Sequence, residues 1–319
     1  MGETRSGRSA FLAFVGLLAV TSAPAVGQAR LDYRTAAPGD LVRAWKTTPR
    51  EQRGALAAAM IARGQQVLPA VREAARSGEA AEKIFACTMI AEMRDHDGVD
   101  ALVVATGDAD VKVRRRATTA LRILADARSA PRLRELVKSE SDLGVLKTAL
   151  AALGRLGQRR DVRLIEPFLG HADDGVRVTA AAALAMLGDE RGLDLVIQAT
   201  HAVDPAVQKS ATYALAFFSA AAAGARAQAI LDDPRGAWKS YALIALVERR
   251  LATQSVGEQV STLDQLAHGR SRTAAEWAVD RLTDIGTPDA VAVLRKVRDR
   301  ATPVGAMADR RVKVLEAKP

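Results

Sequence analysis

Apolar residues recur along this chain at helical spacing and, on a longer scale, in repeating blocks. In VRRRATTALRIL, the residues Val113, Ala117, Ala120, Leu121 and Leu124 are separated by four, three, one and three positions. That spacing gathers them on one stripe of an α-helix. The phrase returns as VLKTALAALGRLG, VRVTAAAALAMLG, VQKSATYALAFFS and WKSYALIALVERR. Superposed, these blocks put an aliphatic residue at Ile90, Leu121, Leu153, Leu184, Leu215, Leu246 and Leu282, at intervals of 31, 32, 31, 31, 31 and 36. Four residues earlier stands an alanine each time: Ala86, Ala117, Ala149, Ala180, Ala211, Ala242 and Ala278. A period of this length marks a repeat architecture, in which each unit is stable only against its neighbours.

Helix boundaries can be read from the polar residues between the blocks. Asp110, Asp142, Asp173 and Asp204 each precede the Val of their block by three residues, where a carboxylate caps free backbone N–H groups. Pro205 follows one of them at the first helical position, and Gly157, Gly188 and Gly286 stand where helices close with a positive φ. A second helix in each unit is marked by Leu102, Leu133, Ile165, Val196 and Leu294. The fold class is therefore all-α, a solenoid of about seven to eight stacked helical hairpins over residues 30–303. At its front, Thr48, Pro49 and Glu51 predict a capping box that opens a helix through Arg63, followed by another from Gln65 to Arg76. Residues 304–319 form either a short capping helix or a loose tail. The interval of 36 points to a five-residue insertion around Thr253 to Gly257, next to Arg249, which replaces the usual aliphatic.

The first 29 residues have a different pattern. Arg5 and Arg8 precede an apolar run from Ala10 to Val20, and small residues with a proline follow. This is the layout of a secretory signal peptide, with cleavage expected after Ala25 or, preferably, Ala29. An uncleaved anchor from Ala10 to Val26 is the alternative, although a helical span needs about 20 apolar residues. The expected location is outside the cytoplasm, periplasmic or extracellular, with no stable membrane span after cleavage. Cys87 is the one cysteine, in an apolar helical stretch, and reads as a small buried hydrophobe rather than a reactive thiol. A net charge of +9 favours polyanions. Export makes nucleic acid the least suitable of these and leaves an acidic envelope polymer as a possible partner class.

The stretch VRVTAAAALAMLGDERGLDLVIQA resembles the bacterial HEAT-repeat pattern, also called the phycobilisome-lyase-type HEAT-like repeat, and the resemblance extends over roughly residues 50–300. It implies an α-solenoid, a fold used for binding, and it opens two enzymatic alternatives. Deoxyhypusine hydroxylases of this repeat class use His-Glu dipeptides to bind iron. Here the four histidines are followed by Asp97, Ala172, Ala202 and Gly269, so no such pair exists. A bilin-lyase-like activity would need a pigment site that no residue pattern announces. The triplet Asp95-His96-Asp97 has metal-binding side chains, but without a second spaced cluster it reads as a solvated turn. No cofactor is expected. The basic runs Lys112, Arg114, Arg115, Arg116 and Arg159, Arg160, Arg163 read as solvated surface, with an anion-attracting patch as the other reading.

The resulting functional expectation is an exported, non-enzymatic scaffold that binds a protein partner. At about 100° per residue, positions two, six and nine after the Val of each block fall opposite the core stripe. They hold Arg115, Thr119, Arg122, then Lys147, Ala151, Gly154, and become mostly apolar in later units, with Lys209 and Ser240 as the polar members. That change nominates Val178, Tyr213, Ile244 and Val247 as an outward partner surface. The alternative is that superhelical curvature buries these positions against neighbouring repeats. Export has its own direct check: N-terminal sequencing of the native protein should begin near residue 30, and an intact Met1 on membrane-bound protein would reject cleavage.

Overall fold

The computed structural model describes residues 31–234 and 237–317; the expected leader over residues 1–29 lies outside them. The described residues form helices and turns, without a strand. Three helices lead the array: α1 (Pro38–Thr47), α2 (Arg53–Arg63) and α3 (Leu68–Ser77). Seven hairpins follow. These are α4 (Ala80–Glu92) with α5 (Val99–Ala105), α6 (Val111–Leu124) with α7 (Ala130–Ser139), and α8 (Leu143–Leu156) with α9 (Val162–Ile165). Next come α10 (Asp174–Met186) with α11 (Leu193–Ala199), and α12 (Pro205–Ala214) with α13 (Ala221–Asp232). The last two are α14 (Lys239–Leu251) with α15 (Val256–Ala267) and α16 (Arg272–Ile285) with α17 (Pro288–Arg298), before α18 (Pro303–Glu316) ends the chain.

The repeat register is realised as expected. The seven alanines of the first helices are fully buried, and so are the aliphatic residues four positions on, except half-buried Leu246. Leu102, Leu133, Ile165, Val196 and Leu294 close the second helices against them. Each expected aspartate caps its helix: Asp142 and Asp173 accept from the amides of Val145 and Val176, while Asp110 and Asp204 accept from those of Lys112 and Ala206. Gly157, Gly188 and Gly286 adopt φ of 69°, 81° and 61°. Cys87 is buried, and burial pushes its thiol up to about 12.

Two local expectations need correction. Thr48 does not open α2. Its hydroxyl instead donates to the Ala44 carbonyl at 2.7 Å and closes α1, a helix that the capping-box reading left out. The Asp95-His96-Asp97 turn is not wholly solvated, because Asp95 is buried and takes both arms of the Arg72 guanidinium at 2.7 and 2.6 Å. Of the two readings for residues 304–319 the short helix holds: it is α18, which packs on α16 and α17 and also on α2 near the start of the array.

Arginines tie successive units together. Arg114 holds Glu140 through two bonds of 2.9 and 3.0 Å, and Arg115 holds Asp142, the N-cap of the next hairpin, at 2.8 and 2.6 Å. The first basic run is thus partly consumed in crosslinks between repeats. Arg134 reaches buried Asp161 in the same way, and Arg132 and Arg226 each reach a buried threonine, Thr106 and Thr200, exactly 26 residues back.

The array closes on itself. Val314 of α18 belongs to the same apolar core as Leu41, Leu56 and Met60. Arg311, only 7% exposed, donates to the Glu92 carboxylate at 2.8 Å and forms an ion pair with Asp280 at 3.0 Å. Asp284 at the end of α16 pairs with Arg94 at 2.9 Å and with Arg155 at 3.2 Å. Units far apart in sequence therefore meet across the centre.

Leu184 is fully buried between repeats. Leu184→Ala should destabilise the protein by about 2–5 kcal/mol in chemical denaturation, the usual range for a cavity left by leucine. A loss below about 0.5 kcal/mol, typical of surface positions, would contradict the register.

Candidate functional site

The first helices of the hairpins face the middle of the ring, where they line a cavity of about 630 Å³ that opens to solvent. Small residues bring them close together. An added Cβ at Gly154 would stand 2.7 Å from the Cα of Ala183, so glycine there sets the approach of α8 to α10. Val178, Ala182 and Met186 of α10 and Phe217, beyond α12, supply apolar wall. Tyr213 meets Phe217 edge-on, with ring centroids 5.3 Å apart. Trp277 of α16 lines the same space beside Tyr213.

The charged lining is Arg122, Arg155, Arg281 and Glu248. Arg155 leans on Asp284, and Arg281 stands 3.4 Å from Glu248. Arg122 differs from both: among the described residues it forms no ion pair or side-chain hydrogen bond. Burial lowers the proton affinity of its guanidinium, with Tyr213 opposing the shift and the positive charge of Arg155 adding to it. Arg122 is half-buried, and a partly desolvated charge without a partner is less favourable than a paired one. Glu248 carries the opposite strain. Burial raises its pKa despite the attraction of Arg281, and its Oε2 and the Arg281 Nε are both buried without a hydrogen-bond partner. Burial likewise raises the Tyr213 pKa, with Glu248 adding to the shift. The cavity combines an aromatic and aliphatic wall with one uncompensated cation.

The expected outward surface turns out to face inward or into packing. Val178 and Ile244 are each only 2% exposed, and Tyr213 and Val247 are half-buried. Ring curvature brings neighbouring first helices together over positions that a single-helix projection points to solvent. Val178 and Tyr213 line the central cavity, whereas Ile244 and Val247 are not part of its wall. The projection also left Arg122 on a solvated face and passed over Glu248, Trp277 and Arg281. The one available signal was Glu248-Arg249, where charge interrupts the apolar run of its block. Of the second basic run, Arg159, Arg160 and Arg163 are exposed. No group of residues suited to holding a metal ion occurs among the described residues, and no described helix is long and apolar enough to cross a membrane.

A family model described as HEAT repeats matches residues 68–154 and 140–216. Residues 68–216 are HEAT repeats. The same helical-hairpin architecture continues through α17. No curated protein matches the chain in sequence. Among solved structures, the chain is similar to the complex of CpcE and CpcF of phycocyanin lyase from Nostoc sp. PCC7120. The identity is 20% over 74% of this chain and 94% of that one, with a TM-score of 0.54. Human deoxyhypusine hydroxylase in complex with glycerol aligns at 14% identity over 84% of this chain and 100% of that one, with a TM-score of 0.37. At such identities the likeness concerns the HEAT fold alone, since one fold hosts many activities.

Glu248 generates a pH test. A carboxyl whose pKa is raised by folding binds its proton more tightly in the native state, so its contribution to stability falls as pH rises through the native pKa. Glu248→Gln should therefore gain in melting temperature over the parent as pH goes from about 4 to about 8, and match it at the acid end. A constant difference across that range would show that the carboxyl is not held in a desolvating site.

Proposed function

We propose that this chain is an exported binding protein without catalytic chemistry of its own, which holds its partner inside the HEAT ring. The observation that carries this reading is the unpaired Arg122 guanidinium in an otherwise aromatic and aliphatic cavity. Folding partly desolvates that charge, and a bound anion offsets the lost hydration. The signal-peptide pattern of residues 1–29 supports export. The crosslinking arginines between repeats support a preorganised cavity wall rather than one assembled on binding.

Photocrosslinking separates the inside of the ring from its outside. A diazirine residue of methionine size at Met186, which lines the cavity, should give a defined adduct when the protein is irradiated in its native envelope. The same residue at Val203, fully exposed in a turn, should give none. Adducts from Val203 alone, or from neither position, would reject binding inside the ring.

A further inference from the structure

The volume and lining of the cavity define its occupant more narrowly. At about 630 Å³ it is too small for a folded partner and falls within the range of small-molecule sites, roughly 300–1,000 Å³. One wall is broad and apolar, and aromatic side chains from two separate repeats, Tyr213 and Trp277, converge on it. Such a surface accepts a flat apolar body. The cationic side carries one guanidinium without a partner, Arg122, whereas Arg155 and Arg281 already face Asp284 and Glu248. A ligand with two or more negative charges would have to compete for those existing pairs and approach Glu248. A neutral ligand would cover the half-buried Arg122 without giving it a partner.

We infer that the cavity binds a small monoanionic amphiphile, with its acidic head on Arg122 and a flat apolar body against Val178, Met186, Tyr213, Phe217 and Trp277. This inference rests on the proposal that binding occurs inside the ring, and it names the class of ligand held there. The head is recognised by charge-assisted hydrogen bonding from a planar guanidinium, which suits carboxylate, sulfonate or a phosphate monoanion. The inward turn of Val178 and Tyr213 gives these two residues a ligand-facing role.

Two probes that share a body and differ in the head test the inference on the full chain. 8-Anilinonaphthalene-1-sulfonate carries one negative charge; N-phenyl-1-naphthylamine has the same rings without it. The protein should bind the sulfonate at one site per chain and roughly tenfold or more tightly than the neutral probe, the scale expected of one charge-assisted contact. Arg122→Gln should abolish that preference while leaving affinity for the neutral probe unchanged, and Arg122→Lys should keep part of it. Ala182→Phe, which fills the cavity, should weaken both probes. Melting curves confirm that each variant is folded, and Arg122→Lys covers the case in which Arg122→Gln is not. Equal affinity for the two probes, or a preference that survives Arg122→Gln, would overturn the inference. Failure of both probes alongside a defined adduct from Met186 would also overturn it, while leaving binding inside the ring intact. Loss of that adduct would remove the broader reading as well.

Discussion

A helical hairpin that packs on a neighbour at each side leaves an apolar face uncovered at both ends of any linear stack. In this protein the two ends cover each other. Val314 of α18 completes the core begun by Leu41, Leu56 and Met60, and Arg311 fastens the last helix to Glu92. The closure depends on the uniform repeat, because a period of about 31 residues returns each hairpin at nearly the same angle to the one before. The rest of the architecture, including the cavity, follows from that contact.

Closure with small residues on the inside sets the width of the central space. Alanine and glycine let the first helices approach closely, as at Gly154 against Ala183. Larger side chains then project into the middle at particular repeats: Arg122 and Arg155 from the early ones, Tyr213 and Phe217 from the middle, and Glu248, Trp277 and Arg281 from the late ones. The result is a single site assembled from residues spread over 160 positions of sequence, with unlike chemistry on its two sides. Outside the cavity, arginine–carboxylate pairs at the repeat junctions fix the hairpins relative to each other. Within it, pairing is incomplete.

The repeat was legible in the sequence because its determinants are local. The alanine and leucine positions, the four capping aspartates and the positive-φ glycines depend only on spacing within one hairpin, and each appears where the pattern places it. The site was poorly legible because it depends on curvature. A helical projection locates the side of α10 that carries Val178, but cannot show that α8 and α12 close over it. Arg122 projected to solvent for the same reason. Thr48 was misplaced because a threonine followed by Pro-x-Glu fits both the end of α1 and the start of the next helix. The Leu41, Val42 and Trp45 stripe of α1, with Trp45 stacked 3.9 Å from Phe85, decides for the former.

The polar seam between α16–α18 and α4 also alters how the molecule comes apart. A linear solenoid frays from its termini, since an end hairpin loses only one interface on leaving. In a ring each hairpin has neighbours on both sides, so departure of any one breaks two interfaces and opens the cavity at once. Hydrogen exchange should then be slow across the first helices of early and late hairpins alike, with no gradient toward either end. The chain has traded the independence of its repeats for a single cooperative enclosure.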